Sequence, residues 1–80
     1  MQAPHITSKR RFTKHDADAM IGRGVRSLAN ISCVPAGTRG RVVAAEEAGD
    51  GYDVSVEWES GHLPRDWFSQ DQFEQYLVEA

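Results

Sequence analysis

The strongest constraint on the fold is a segment of eight residues, 52–59, in which apolar and polar residues alternate without exception. The apolar set is Tyr52, Val54, Val56 and Trp58, and the polar set is Asp53, Ser55, Glu57 and Glu59. Successive side chains of a β-strand point to opposite faces, so a period of two is typical of a half-buried strand. We therefore predict a strand with one buried face and one acidic, exposed face.

Turn residues divide the sequence on both sides of this strand into further short segments. Pro35 and Gly37 are typical of a turn, and the pair Asp50 and Gly51 is typical of a hairpin. Gly40 lies inside another extended segment, where a glycine marks a bulge, a bend or a close approach of the backbone. The segments between the turns predict four more strands, at residues 25–31, 38–45, 63–68 and 75–78.

Two short helical segments are predicted beside the strands. Thr13 can cap a helix that Gly22 and Gly24 end, which places a helix at residues 13–23. A helix this short is not stable alone, so we expect it to dock on the strands. The apolar residues available for docking are Ala17, Met20 and Ile21. Ser69 can cap a single helical turn before the last strand.

Five short strands and these helical segments predict a mainly all-β fold, a small five-stranded barrel that is closed or nearly closed. Closure removes the strand edges that an open sheet leaves exposed. In chain order we expect a flexible basic tail at residues 1–12, the short N-terminal helix at residues 13–23 and the barrel at residues 24–80. The residues expected in the barrel core are Val25, Leu28, Val42, Val54, Val56, Trp58, Phe68, Phe73 and Leu77.

The composition limits how such a chain can be stabilised and where it works. Eighty residues lie near the lower limit for a domain that folds alone. Cys33 is the single cysteine, which excludes a disulfide within the chain. The histidines, His5, His15 and His62, lack the spacing of metal ligands, so we predict no metal and no cofactor. The sequence has no run of about 20 apolar residues and no apolar leader, so we expect no membrane partner and a cytoplasmic location.

Charge is distributed unevenly along the chain. Residues 1–26 carry a net charge of +4, and residues 27–80 carry −7. The candidate nucleic-acid-binding residues of the basic segment are Lys9, Arg10, Arg11 and Lys14. Phe12 lies among them and could stack on a base. The alternatives are a solvated tail, or a segment that folds back on the acidic domain. The acidic face of the alternating strand is either simply solvated or an imitation of phosphate charge.

Two adjacent aromatic residues, Trp67 and Phe68, mark a second candidate interaction site. Neighbours on a strand face opposite sides, so we expect one ring in the core and the other partly exposed. A tryptophan exposed beside an arginine has the composition of a hot spot in protein interfaces. The alternative is that a bulge brings both rings into the core. The candidate protein-binding residues are Tyr52, Trp58, Arg65 and Trp67.

The sequence predicts no catalytic residue. Cys33 precedes a turn and has no histidine near it in the sequence, which favours an inert thiol. His62 can approach Asp66, but one such pair lacks the third member of a catalytic triad. The sequence has no phosphate-binding loop and no paired-acid motif, so we expect no enzyme activity.

The pattern Gly37-x-x-Gly40-x-Val42, followed by a hairpin, the alternating strand, a helical turn and a short strand, resembles small bacterial Src-homology-3-like barrels. The pattern itself is similar to the KOW-type element of some ribosomal and transcription proteins. The resemblance covers residues 24–78 and extends to short uncharacterised proteins carried on bacterial mobile elements. KOW-type domains often contact RNA or ribosomal partners, but residues 27–80 here are strongly acidic, which opposes contact with phosphates. Src-homology-3 domains bind proline-rich peptides, but their ligand-groove motif, of the Ala-Leu-Tyr-Asp-Tyr type, is absent from this sequence. A plasmid-borne dihydrofolate reductase also uses this barrel as a tetramer, but its pore segment, Val-Gln-Ile-Tyr, is absent from this sequence.

The leading functional prediction is a non-catalytic protein-binding, adaptor or regulatory accessory module of a bacterial cell. The first alternative is nucleic-acid or ribonucleoprotein binding through the basic N-terminal segment. The second alternative is an oligomeric enzyme with a shared pore. The sequence leaves the oligomeric state open.

Overall fold

A computed structural model describes residues 11–80 of the chain. Five strands and two short helices follow one another along these residues. The strands are β1 (Gly24–Ser27), β2 (Arg39–Ala48), β3 (Gly51–Trp58), β4 (Asp66–Phe68) and β5 (Leu77–Glu79). Helix α1 (Lys14–Met20) precedes β1, and helix α2 (Gln70–Tyr76) connects β4 to β5. Neither helix is long and apolar enough to cross a membrane, and residues 11–80 contain no other helix of that kind.

The five strands form one antiparallel sheet in the order β4-β3-β2-β1-β5. The first four strands are neighbours in both the chain and the sheet. Helix α2 then carries the chain from β4 at one edge to β5 at the other edge, where β5 pairs with β1. The sheet curls into a half-barrel, which confirms the predicted small, mainly β, Src-homology-3-like architecture of five strands. Full closure is not observed within the described residues, because β4 and β5 remain the two edges of the sheet.

The concave side of the sheet holds the core, and β3 contributes the face that its alternation predicts. Val54, Val56 and Trp58 are buried, and all the other predicted core residues are buried except Leu28. Val34, which the sequence places in a turn, is also buried. Ile31 and Val34 exchange two backbone hydrogen bonds of 2.8 and 2.7 Å, and this tight loop brings the Val34 side chain into the core cluster.

Leu28 does not belong to the core, because β1 ends at Ser27 instead of continuing to residue 31. Val25 and Leu28 are three residues apart, an odd number, so extended chain places them on opposite faces. Ser27 is the residue that shares the inward face of β1 with Val25, and it is buried. Its hydroxyl donates to the carbonyl oxygen of Pro35 at 2.9 Å and accepts from the amide of Thr38 at 3.1 Å. Leu28 is 54% exposed.

Both predicted helical caps are present. The Thr13 hydroxyl accepts a hydrogen bond from the amide of Asp16 at 3.1 Å, and α1 docks on the sheet through Ala17 and Met20. Ile21, also expected to dock, is exposed because the helix ends at Met20 and residue 21 adopts an extended backbone. Ser69 forms a capping box with Gln72.

Helix α2 is longer than the single turn that was predicted. It continues to Tyr76, so the last strand begins at Leu77 instead of residue 75. Two turns of helix place Phe73 in the core, where its ring packs against the ring of Phe12 at right angles.

Phe12 lies in the segment that the sequence assigns to a flexible tail. It is nevertheless buried, with only 7% of its surface exposed. Its backbone exchanges hydrogen bonds of 3.1 and 2.9 Å with Tyr52, which extends the sheet beside β3. Its ring packs on Phe73 with centroids 5.9 Å apart. The end of the basic segment is therefore part of the packed domain from residue 11 onward.

Gly40 on β2 is buried and pairs with Trp58 at the C-terminal end of β3. A Cβ atom at this position would lie 2.8 Å from a methyl of Val56 and 2.9 Å from both the Glu57 carbonyl oxygen and the Trp58 ring. Of the three predicted reasons for a glycine in this strand, close backbone approach is the one observed. The sheet's bulge lies elsewhere, between Val42 and Ala44.

Gly40→Ala is expected to lower the free energy of unfolding by about 1–3 kcal/mol, because the backbone of Glu57 cannot move aside for the added methyl group. Gly24→Ala is the matched control, since a Cβ at this strand position meets only one atom, at 3.9 Å. Urea denaturation of both variants measures the difference. Equal stability of the two variants would contradict the close approach at Gly40.

Candidate protein-binding face

Trp67 lies on the edge strand β4 and is 47% exposed, while its neighbour Phe68 is buried. The two rings therefore face opposite sides of the sheet, as strand alternation predicts, and no bulge brings both into the core. Trp67 stands directly opposite Ser55 on β3. Its indole is thus on the convex side of the sheet, away from the core.

Trp58, a second predicted contact residue, is instead part of the core and is 3% exposed. It lies on the same strand face as Val54 and Val56, and its ring packs edge-on against Phe68 with centroids 6.4 Å apart. Its indole Nε1–H donates to a carboxylate oxygen of Asp66 at 2.9 Å. The hydrogen-bonding group of the ring is therefore satisfied inside the protein. Trp58 is not exposed to a partner in the way that the sequence predicts.

Tyr52, the third predicted residue, is half-buried at the far end of β3 and packs against the core. It pairs with Phe12, whose ring is buried, so Tyr52 shares the inner face with it. The structure therefore brings together only Arg65 and Trp67 of the four predicted protein-binding residues. These two side chains belong to neighbouring outward positions at the edge of the sheet.

We use the term outer face for the convex side of the sheet, as defined by the exposed side chains whose strand neighbours point inward. Its members are Arg26 on β1, Arg39, Arg41 and Glu46 on β2, Glu57 on β3, Arg65 just before β4, Trp67 on β4 and Val78 on β5. Glu57 pairs with Arg41 in the register of β2 and β3, and one of its carboxylate oxygens lies 3.9 Å from the Arg65 guanidinium. All the arginines from residue 24 onward thus lie on this one face.

The three arginines on β1 and β2 are not among the binding residues predicted from the sequence. The signal for Arg39 and Arg41 is their spacing, because both alternate with Gly40 and Val42, which are buried. Arg26 alternates in the same way with Val25 and Ser27. What the sequence does not contain is the register that sets these strands side by side.

A cavity of about 400 Å³ opens beside the outer face, beneath the loop between β3 and β4. Arg41, Glu57 and Arg65 contribute charged groups to its wall. Trp58 and Leu63 contribute apolar surface. The recess therefore combines an apolar wall with charged groups at the same end of the sheet as Arg65.

The basic segment is engaged within the domain where the structure describes it. The Arg11 guanidinium forms a salt bridge of 2.6 Å with the Asp53 carboxylate. The Lys14 ammonium lies 2.9 Å from the Asp18 carboxylate, and this hydrogen bond and the opposite charge raise the pKa of Lys14. Lys9 and Arg10 lie outside the described residues. Phe12 is buried and so does not offer its ring to a base.

Groups that could support catalysis or metal binding are dispersed. Cys33 is exposed as a free thiol in the loop after Ile31. His62 lies exposed in the loop between β3 and β4, and the Asp66 carboxylate accepts the hydrogen bond from Trp58. Within residues 11–80 no group of three or more His, Cys, Asp or Glu side chains could hold a metal ion.

Ser55 is an exception on the polar side of β3, because it is fully buried. It lies between Ala44 on β2 and Trp67 on β4. Its hydroxyl has no hydrogen-bond partner among the described residues. A buried hydroxyl without a partner costs about 1–3 kcal/mol. Ser55 therefore lowers the stability of the fold at the position that pairs with Trp67.

Ser55→Ala is therefore expected to raise the free energy of unfolding, by about 1 kcal/mol or more, because it removes an unsatisfied hydroxyl and keeps the size of the side chain. Ser69→Ala is the matched control, since Ser69 is equally buried but its hydroxyl caps α2. That control is expected to lose about 1 kcal/mol. Thermal and urea unfolding compare the two, and a loss of stability in Ser55→Ala similar to that in Ser69→Ala would contradict the assignment.

Comparisons with known proteins give no family for the chain. A scan against protein-family models and searches of curated proteins and of solved structures returned no match.

Proposed function

We propose that this chain is a non-catalytic protein-binding module, an adaptor or regulatory accessory of a bacterial cell, and that its contact surface is the outer face around Arg65 and Trp67. The observation that carries the proposal is the exposed indole of Trp67 beside Arg65 on an edge strand. The bacterial, cytoplasmic setting and the link to mobile elements rest on the sequence and its resemblance alone.

The environment of Trp67 supports this role. Its ring lies outside the core cluster, so the packing of the barrel does not require a tryptophan there. Exposed apolar area costs roughly 25 cal/mol per Å², and an aromatic ring removes a large area from water when a partner covers it. Tryptophan and arginine are the residues most enriched among those that dominate binding energy in protein interfaces.

The cavity beside the outer face supports the same proposal. Its volume of about 400 Å³ can accept a side chain of a partner. Leu63 offers apolar contact inside it, and the lining of the cavity also includes Arg41, Arg65, Glu57 and Glu59. A partner that covers Trp67 could therefore place a second anchor next to it.

The nucleic-acid alternative receives less support from the described residues. Two of its four candidate residues, Arg11 and Lys14, already pair with carboxylates of the same chain. The aromatic ring that was expected to stack on a base, Phe12, is buried. The alternative of an oligomeric enzyme with a shared pore has no feature among residues 11–80 that favours it.

The proposal predicts that Trp67→Ala keeps the fold and weakens binding to the partner about 30-fold, the loss expected for a residue worth about 2 kcal/mol at an interface. The matched control is Ile21→Ala, which removes an exposed apolar side chain at the end of α1, outside the outer face. Proteins captured from a bacterial lysate by the wild type are identified, purified and titrated against the three forms. Unfolding curves establish that all three are folded.

The result that supports the proposal is a purified partner whose affinity falls with Trp67→Ala and is unchanged with Ile21→Ala. If every partner binds the wild type and Trp67→Ala equally well, the outer face is not the contact surface. Capture that disappears after nuclease treatment would instead favour the nucleic-acid alternative.

A further inference from the structure

Two arginines of the outer face stand directly opposite each other. Arg26 of β1 pairs with Arg39 of β2 in the antiparallel register. The amide of Ser27 donates to the carbonyl oxygen of Thr38, the next pair along, at 2.9 Å, and bonded and non-bonded pairs alternate along an antiparallel ladder. Arg26 and Arg39 are therefore a non-hydrogen-bonded pair, the arrangement in which opposite side chains approach most closely.

Neither of these arginines forms an ion pair within the part of the chain that the structure describes. The salt bridges there involve other cations, namely Arg11, Lys14, Arg23 and Arg65. The amide of Glu59 donates to the carbonyl oxygen of Arg39 at 2.8 Å, but the Glu59 carboxylate forms no ion pair with any residue from 11 to 80. Like charges directly opposite on a sheet are destabilising, so the fold gains nothing from this pair.

Arg41 enlarges the pair into a cluster of three, which we call the arginine cluster. It lies two residues after Arg39 on β2 and so on the same face, and it is exposed. Its guanidinium makes a weak contact of 3.5 Å with the carbonyl oxygen of Gly22. Residues 27–80 are acidic overall, so three adjacent guanidinium groups on one face stand out from the rest of the surface.

We infer that the arginine cluster (Arg26, Arg39 and Arg41) binds carboxylates of an acidic, extended segment of the protein partner. The inference rests on the proposed function and adds the chemistry of the partner to it. Guanidinium groups present a planar fork of donors that matches the two oxygens of a carboxylate. A carboxylate between Arg26 and Arg39 would also relieve the repulsion between them.

The spacing of the cluster favours an extended peptide. Arg39 and Arg41 are two residues apart on a strand, which separates their positions by about 7 Å. Side chains on one face of an extended peptide repeat at the same distance. Acidic residues at alternate positions of a segment can therefore meet Arg39 and Arg41 in register.

The charges around the cluster favour a peptide over a nucleic-acid backbone. Glu57 lies opposite Arg41, and Glu59 lies beside Arg39. A phosphate backbone carries a charge at every nucleotide and would place some of them against these glutamates. A peptide can carry its charges only at the positions that face the arginines.

The test titrates the full chain at low salt with the peptide acetyl-(Glu-Ser)₄-amide and follows the arginine Nε–Hε and backbone amide signals by NMR. The expected result is a set of shifts confined to β1 and β2, with no shifts on addition of acetyl-(Gln-Ser)₄-amide. Arg39→Gln is expected to weaken the binding about fivefold, the upper range for an exposed ion pair. Arg23→Gln is the matched control, because it removes the same charge from an arginine that pairs with Glu79.

Two outcomes would overturn the inference: no shifts on β1 and β2 with the glutamate peptide, or the same affinity in Arg39→Gln and Arg23→Gln. Tighter binding of the oligonucleotide (dT)₁₂ than of the peptide, lost in Arg39→Gln, would also overturn it and assign the cluster to nucleic acid. The proposed function fails separately, since it depends on Trp67→Ala and on a purified partner. If Trp67→Ala loses the partner but the wild type does not bind the glutamate peptide, the proposed function stands and the inference about the arginine cluster is rejected.

Discussion

The close packing of Gly40 against β3 is the contact on which the arrangement of the sheet depends. With no side chain at this position, the ring of Trp58 and a methyl of Val56 occupy the space that a Cβ would need. Trp58 can then lie inside the half-barrel, where it binds Asp66 and packs on Phe68. These two contacts hold the short strand β4 against β3. Because side chains alternate along a strand, burial of Phe68 places Trp67 on the outside.

Much of this fold could be predicted from local patterns, because they act within one strand or one turn. The period of two in residues 52–59 predicts the buried face of β3, and Thr13 and Ser69 predict the helix caps. The predictions that failed depend on tertiary context. Leu28 looked like a core residue by composition, but its position on the wrong face of an extended chain and the end of β1 at Ser27 leave it in solvent. Burial of Phe12 depends on Tyr52 and Phe73, which lie 40 residues or more away in the sequence.

The candidate site was predicted only in part, for a related physical reason. Aromatic composition selected Trp67, which is exposed as expected, and also Trp58, which lies on the inward face of β3 and belongs to the core. The arginine cluster could not be found from composition, since its two halves belong to different strands and meet only through the register of β1 and β2. That register also explains how an acidic domain presents a basic surface. Its acids are distributed over strands, loops and helices, whereas the four arginines from residue 24 onward share one face.

The fold places one tryptophan inside the protein and the other on the outer face, where we propose that a partner binds. Acrylamide quenching of tryptophan fluorescence in two single-tryptophan variants tests this placement most directly. Trp67→Phe leaves only Trp58, and we predict weak quenching and emission at short wavelength, because the remaining indole is buried. Trp58→Phe leaves only Trp67, and we predict quenching several times stronger, with emission at longer wavelength. Equal quenching of the two variants, both folded, would contradict the account.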